Sequence, residues 1–222
     1  MWVKICANTS LDDALMAGEA GADAAGFVFA ESVRRVTPRE VRAIVPGLPA
    51  HLEKVGVFVD TGFDDLAKTI EECGLTGVQL HSGCGRDATT KLRERFSSLR
   101  ILKVIHFHQG LEAEFREAQE DQAIDAVLVD SRTAKLTGGT GIRFDWRGAR
   151  GSFAGSQLRT IVAGGLNPEN VVEAIATLQP WGVDVASGVE ASPGKKDAAK
   201  VRAFVENARL AARKLKLDEV KV

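Results

Sequence analysis

Cys6, Asp130, His81, the pair His106 and His108, and the neighbours Arg34 and Arg35 stand out in this 222-residue chain as side chains able to move protons or hold an anion. Three glycine-bearing stretches accompany them: GGTG at 138–141, AGG at 163–165 and ASG at 186–188. A thiol and a carboxylate can act as base and acid, provided each is held in the right protonation state. A planar guanidinium grips a carboxylate bidentately. Glycine lets backbone N–H groups approach an anion closely, and a helix N-terminus adds a favourable dipole. Each feature also has a plainer reading. A lone cysteine packs as a small hydrophobe, a glycine pair makes a turn, and a loop arginine is solvated.

The elements that must position these residues follow a simple rhythm. Strands are predicted at 2–6, 24–29, 54–59, 77–81, 101–107, 126–130, 159–164 and 183–187, mostly as near-continuous apolar runs of the kind covered on both faces. Amphipathic segments lie between them: SLDDALMAGEAG, TPREVRAIV, GFDDLAKTIEECG, DATTKLRERFSS, LEAEFREAQE, NPENVVEAIATL and a last one near 195–214. The connection around 141–157 is poor in helix signal. Ser10 before an acidic turn, Thr37-Pro38 and Asn167-Pro168 read as helix starts, and Gly21 and Gly74 as left-handed caps. Strict alternation predicts an α/β chain folded as a single (β/α)8 TIM barrel over residues 1–222, with a parallel eight-stranded barrel; a doubly wound open sheet is the alternative. In such a barrel the site lies at the C-terminal strand ends, where Cys6, the segment after strand two, His81, His106, Asp130 and the glycine turns all fall. The loops after strands seven and eight are the usual phosphate position. Lys4 shares strand parity with Cys6, so both can face the interior.

Composition narrows the class. The chain is 45% apolar and 27% charged with a formal net charge of −1, ordinary for a globular protein and no sign of nucleic acid or an anionic membrane as partner. No signal peptide and no spanning helix are expected. Cys6, Cys73 and Cys84 are an odd number at wide spacings, as in reduced thiols of a cytoplasmic protein. Cys73 is expected to pack under its helix. The stretch AARKLKLDEVKV reads as a solvated helix end. His106 and His108, at i and i+2 of a strand, could share a metal, but only His81 offers a third ligand, and no metal site is expected.

The blocks VKIC (3–6), DALMAGEAGADAAGFVF (13–29), SVRRVTP (32–38), GVQLH (77–81), VLVDS (127–131), GGTGIRFDW (138–146), VAGGLNPENVVEAI (162–175) and GVDVASGVEASPGKKD (182–197) together resemble the phosphoribosylanthranilate isomerase family over nearly the whole chain. The resemblance implies an isomerase of tryptophan biosynthesis working without cofactor or metal. Its reaction is the Amadori rearrangement of N-(5-phosphoribosyl)anthranilate to 1-(2-carboxyphenylamino)-1-deoxy-D-ribulose 5-phosphate. It implies Cys6 as general base and Asp130 as general acid, Arg34 on the anthranilate carboxylate, and His81 as a pocket hydrogen-bond donor. Gly139, Gly164, Gly165, Ser187 and Gly188 are the implied phosphate cradle. The partner is then a small phosphorylated substrate, and the protein a monomer or homodimer. The base must be partly thiolate, helped by a positive field such as Lys4, and the acid must hold its proton through desolvation or a neighbouring negative charge. Asp184 could fix the last cradle loop.

Four positions depart from the usual pattern. Ala7 stands where glycine normally follows the cysteine, so it is expected at an ordinary φ/ψ. SVRRV lacks a stiffening proline at Val33 and carries Arg35 in an aromatic's place, and Ala186 replaces a common serine. A related histidine-pathway isomerase would place an aspartate where Cys6 stands. Indole-glycerol-phosphate synthase would need an N-terminal helical extension. A phosphate-binding barrel without catalysis has no reason to keep both Cys6 and Asp130.

Overall fold

A computed structural model describes residues 1–81, 85–108, 111–131 and 145–219. Eight parallel strands close into a barrel in sequence order: β1 (Trp2–Ile5), β2 (Ala24–Val28), β3 (Glu53–Phe58), β4 (Gly77–Leu80), β5 (Arg100–His106), β6 (Ala126–Asp130), β7 (Arg159–Val162) and β8 (Gly182–Val185). Closure is made by β1 against β8, with Lys4 beside Asp184 and Ile5 beside Val185. The open-sheet alternative is thereby excluded.

Alternation along each strand divides the core in two. Val3 and Ile5 face outward into a large cluster with Phe27, Val78, Ile101, Val127 and the helices' apolar faces. Trp2, Ala24, Val55, Leu102, Leu128 and Ile161 fill the barrel interior. Small residues make room for large ones there: a Cβ on Gly182 would stand 3.0 Å from the Trp2 ring. Trp2 stacks on Trp181 with ring centroids 5.3 Å apart, and Arg159 lies over Trp181 at 4.9 Å, which closes the floor opposite the mouth.

The helices are α1 (Leu11–Glu19), α2 (Pro38–Ile44), α3 (Phe63–Cys73), α4 (Arg86–Arg95), α5 (Glu112–Gln119), α6 (Trp146–Ala154), α7 (Val171–Leu178) and α8 (Ala198–Glu219). Ser10 caps α1 by accepting from Asp13 N, and Thr37 with Glu40 forms a capping box on α2. Gly21 and Gly74 take φ of +86° and +59°, the left-handed turns expected of them. Cys73 is buried at the end of α3, where its thiol reaches the carbonyl of Pro38. Helix α8 continues to Glu219, with Leu217 exposed as a solvated helix end should leave it.

Two expectations are corrected. Residues 146–154 form α6 despite their glycines, because Asp145 caps the helix through the N–H groups of Arg147 and Gly148, and Trp146, Ala149 and Phe153 bury one face. The helix after Asn167-Pro168 begins at Val171, since Asn167 and Asn170 first close a turn of their own. Asn167 Oδ1 accepts from Asn170 N at 2.9 Å, and Asn170 Oδ1 accepts from Asn167 N at 2.9 Å. Beyond β8, Glu190–Ser192 (β9) and Lys195–Lys196 (β10) make a small antiparallel hairpin. Among the described residues no helix is long and apolar enough to cross a membrane.

Candidate active site

The site grows from the end of β1. Cys6 continues the ladder by donating its N–H to Val185 O at 2.7 Å. The chain then turns at Ala7, whose φ is +61°. This overturns the expectation of an ordinary conformation there. Asn8 imposes the turn: its backbone N–H donates to Gly26 O at 2.9 Å, and its side-chain amide donates to Ile5 O and Gly26 O at 2.8 and 3.1 Å. Cys6 is consequently fixed and buried, facing inward over Gly26. A Cβ on Gly26 would lie 2.8 Å from Cys6 Sγ and 2.9 Å from Lys4 Cε, so both side chains occupy the interior as their parity predicted.

Lys4 is fully buried and donates to Asp184 Oδ1 and Gln79 Oε1, each at 2.8 Å. Asp184 therefore holds the barrel centre, not the cradle loop. Because Gln79 Oε1 accepts from Lys4, its Nε2 donates to His81 Nε2 at 3.2 Å, which leaves Nδ1 as the donor nitrogen of His81. The His81 ring lies 5.8 Å from that of His106, at the end of the neighbouring strand. His108 does not share that face. β5 ends at His106, and His108 turns to Glu114 on α5 at 2.5 Å. Among the described residues no three His, Cys, Asp or Glu side chains are grouped to hold a metal ion.

Asp130 ends β6 and is buried, three strands from Cys6 around the mouth. The glycine turns of β7 and β8 lie between them. Gly164 and Gly165 take consecutive φ of +79° and +66°, which L side chains rarely adopt. A Cβ on Gly164 would stand 2.5 Å from Asp130 Oδ1, so the acid and this turn touch. Ser187–Val189 form a single 3-10 turn, and a Cβ on Gly188 would sit 1.9 Å from Leu166 O. The two loops thus meet backbone to backbone. Gly139 lies outside the described residues.

A family model described as N-(5'phosphoribosyl)anthranilate (PRA) isomerase matches residues 3–207. The chain belongs to the PRA isomerase family. A PRA isomerase of Geobacter sp. (strain M21) is 45% identical over 208 residues, covering 93% of this chain and 97% of that one. The crystal structure of the Thermotoga maritima PRA isomerase superposes with a TM-score of 0.83 at 36% identity, covering 94% and 98%. A PRA isomerase solved with reduced 1-(o-carboxyphenylamino)-1-deoxyribulose 5-phosphate superposes at 0.80 with 35% identity and the same coverage.

Arg34 is buried and pairs with a carboxylate carried by the β9–β10 hairpin. Its Nε and Nη2 donate to Glu190 at 2.8 and 2.7 Å, a fork-to-fork pair that leaves Nη1 outside it. Arg35 is exposed, and its backbone bridges Val28. Glu190 also accepts from Lys196 Nζ at 3.2 Å, and Lys196 donates to Ala186 O at 3.1 Å. The hairpin carrying them is tied to the β1–α1 loop and the first turn of α1, because Thr9 Oγ1 donates to Gly194 O at 2.6 Å and Lys196 N donates to Asp13 Oδ1 at 3.1 Å. Glu190, Lys196 and Gln79 carried no assigned role in the sequence reading. The SGVE and SPGKKD blocks contained the first two, but only the hairpin shows that they face the site.

Burial pushes the Cys6 thiol up and Asp184 adds to the rise, while Lys4 and Lys196 pull against it. The positive field expected of Lys4 is present, and burial works against it. Burial alone would weaken the Lys4 ammonium, yet Asp184 and Cys6 hold its pKa above the ordinary lysine value. Burial would likewise favour neutral Glu190, but Arg34 and Lys196 keep it below the usual glutamate range.

Proposed function

We propose that this protein catalyses the Amadori rearrangement of N-(5-phosphoribosyl)anthranilate, with Asp130 as general acid and Cys6 as general base. One observation carries the assignment of roles: two buried proton-transfer groups stand apart on one barrel mouth, with glycine-built loops of β7 and β8 in the gap. The substrate's phosphate sits on Gly164, Gly165, Ser187 and Gly188, with Gly139 as a further member. The sugar then spans the mouth between Asp130 and Cys6. Asp130 gives its proton to the ribose ring oxygen as the C1′–O bond breaks, and the anilino nitrogen's electron pair forms the imine. Cys6 takes the C2′ proton, and the resulting enolamine tautomerises to the ketone. His81 donates through Nδ1, and Arg34 meets the anthranilate carboxylate through Nη1. The relative solved with a reduced form of the product supports this substrate. Placement in tryptophan biosynthesis, in the cytoplasm, as a monomer or homodimer follows from the same reading.

The test follows the fall of anthranilate-like fluorescence on adding protein to freshly formed phosphoribosylanthranilate. Wild type should turn the substrate over. Cys6→Ala and Asp130→Asn should each lose at least ~10²-fold in kcat while still binding the reduced product analogue. Near-normal turnover in either variant removes that residue from its role.

A further inference from the structure

Among the described residues Lys4, Asp184, Arg34 and Lys196 act on the charge of Cys6, and Glu190 pairs with the last two. Lys4 comes from β1, Asp184 from β8, Arg34 from the β2–α2 segment, and Glu190 and Lys196 from the β9–β10 hairpin. Lys4 pairs with Asp184 at 2.8 Å. Arg34 pairs with Glu190 through two bonds. Two cations and two carboxylates are thereby matched, and Lys196 is left over. Among the described residues its Nζ reaches the Glu190 oxygen that already accepts from Arg34 Nε, and the uncharged carbonyl of Ala186. Lys196 is 3% exposed, so water does not offset this excess charge. Uncompensated buried charge is costly, and an adjacent anion relieves it. Cys6 is placed to be that anion. Cys6 donates its N–H to Val185 O and Lys196 Nζ donates to the next carbonyl, Ala186 O, and each of the two groups feels the other's charge. Burial draws the Lys196 ammonium below its ordinary pKa, while Glu190 and then Cys6 oppose that fall, as befits a cation short of counter-charge.

We infer that Lys196 is a positioning residue for the isomerisation: its ammonium is the counter-charge against which Cys6 ionises, and it ties that charge to the carbonyl preceding the Ser187–Gly188 turn. The inference rests on Cys6 being the base. In proton terms the Cys6 S–H releases its proton to solvent, the thiolate stands beside the Lys196 ammonium, and the substrate's C2′ proton restores the S–H. Lys4 also reaches Cys6 through a side-chain hydrogen bond, but Asp184 already matches its charge, so Lys196 brings the net positive charge.

The experiment titrates the Cys6 thiolate by its ultraviolet absorbance, as the difference between each protein and the same protein carrying Cys6→Ala, which cancels Cys73 and Cys84. Lys196→Met should raise the midpoint by about one pH unit or more, and Lys196→Arg should restore most of that shift. An unmoved midpoint overturns the pairing. So does a larger rise in the double variant Lys4→Met/Asp184→Leu, which would assign the counter-charge to the barrel centre. Should Lys196→Met fail to fold, Glu190→Gln reads the same charge with opposite sign. Removing the competing carboxylate should lower the midpoint, and a rise or no change overturns the pairing. Turnover separates the two readings. An active Cys6→Ala protein overturns Cys6 as base and with it any part for Lys196 in the reaction, whereas an unmoved titration overturns the pairing alone.

Discussion

Ala7 adopts a left-handed conformation that costs a β-carbon residue about 1–2 kcal/mol. The Asn8 clamp on the carbonyls of Ile5 and Gly26 holds it there and keeps Cys6 aimed inward. Ala7→Gly should therefore stabilise the protein by roughly 1 kcal/mol despite glycine's freer unfolded chain, visible as a higher urea midpoint with unchanged slope. Activity should persist, since the clamp remains. A fall in the midpoint would mean that the turn is unstrained. The raised pKa of Cys6 also fixes a direction: kcat/KM should climb with pH across the neutral range, because the ionised fraction of the base grows. A flat profile would argue against a thiol base.

At the scale of elements, the loops after β7 and β8 act as one piece because Gly188 lies against the backbone of Leu166 and Asn167. Gly188→Ala must push them apart, since a Cβ 1.9 Å from a carbonyl oxygen cannot be absorbed by a side-chain rotation. The expected result is a KM raised by an order of magnitude or more, as phosphate donors lose their spacing, together with a loss of about 1–3 kcal/mol in stability. Equal KM in variant and wild type would remove this junction from the phosphate site. The β9–β10 hairpin is the second functional element. It delivers Glu190 and Lys196 to the mouth while fastened to Thr9 and Asp13 at the other side of the closure.

For the whole molecule, closure between β1 and β8 encloses a charged centre. Lys4→Met leaves Asp184 buried without its cation and should cost about 3–5 kcal/mol, whereas Lys4→Met/Asp184→Leu should recover most of it. Chemical denaturation of the two variants checks this, and equal losses would show that the pair does not act as a unit. The Arg34–Glu190 pair shapes acid stability. The Glu190 pKa is depressed on folding, so the unfolded chain binds its proton more tightly. Its contribution is full above the ordinary glutamate value of 4.5 and is lost as pH falls through the lower folded value. Glu190→Gln should flatten that part of the stability–pH curve, read by thermal melts across the acid range. An unchanged acid slope would place the loss elsewhere.

Strand positions, their inward and outward faces and the barrel itself were legible in the chain, because parallel strands covered on both sides need continuous apolar runs and alternation is local. Cys6, Asp130 and the glycine turns were legible as strand-end residues for the same reason. Pairing was not. Lys4 with Asp184 spans 180 positions and Arg34 with Glu190 spans 156, so only barrel closure and the hairpin bring them together. The φ of Ala7 escaped notice because alanine does not choose that conformation; a distant strand's carbonyl, reached through Asn8, imposes it. Helix α6 escaped too, since its glycines oppose a helix locally while burial of Trp146, Ala149 and Phe153 favours one. Residue type and periodicity specify which elements form and which side chains reach the mouth. The charge each of those side chains carries depends on desolvation and on partners that meet only in the closed barrel.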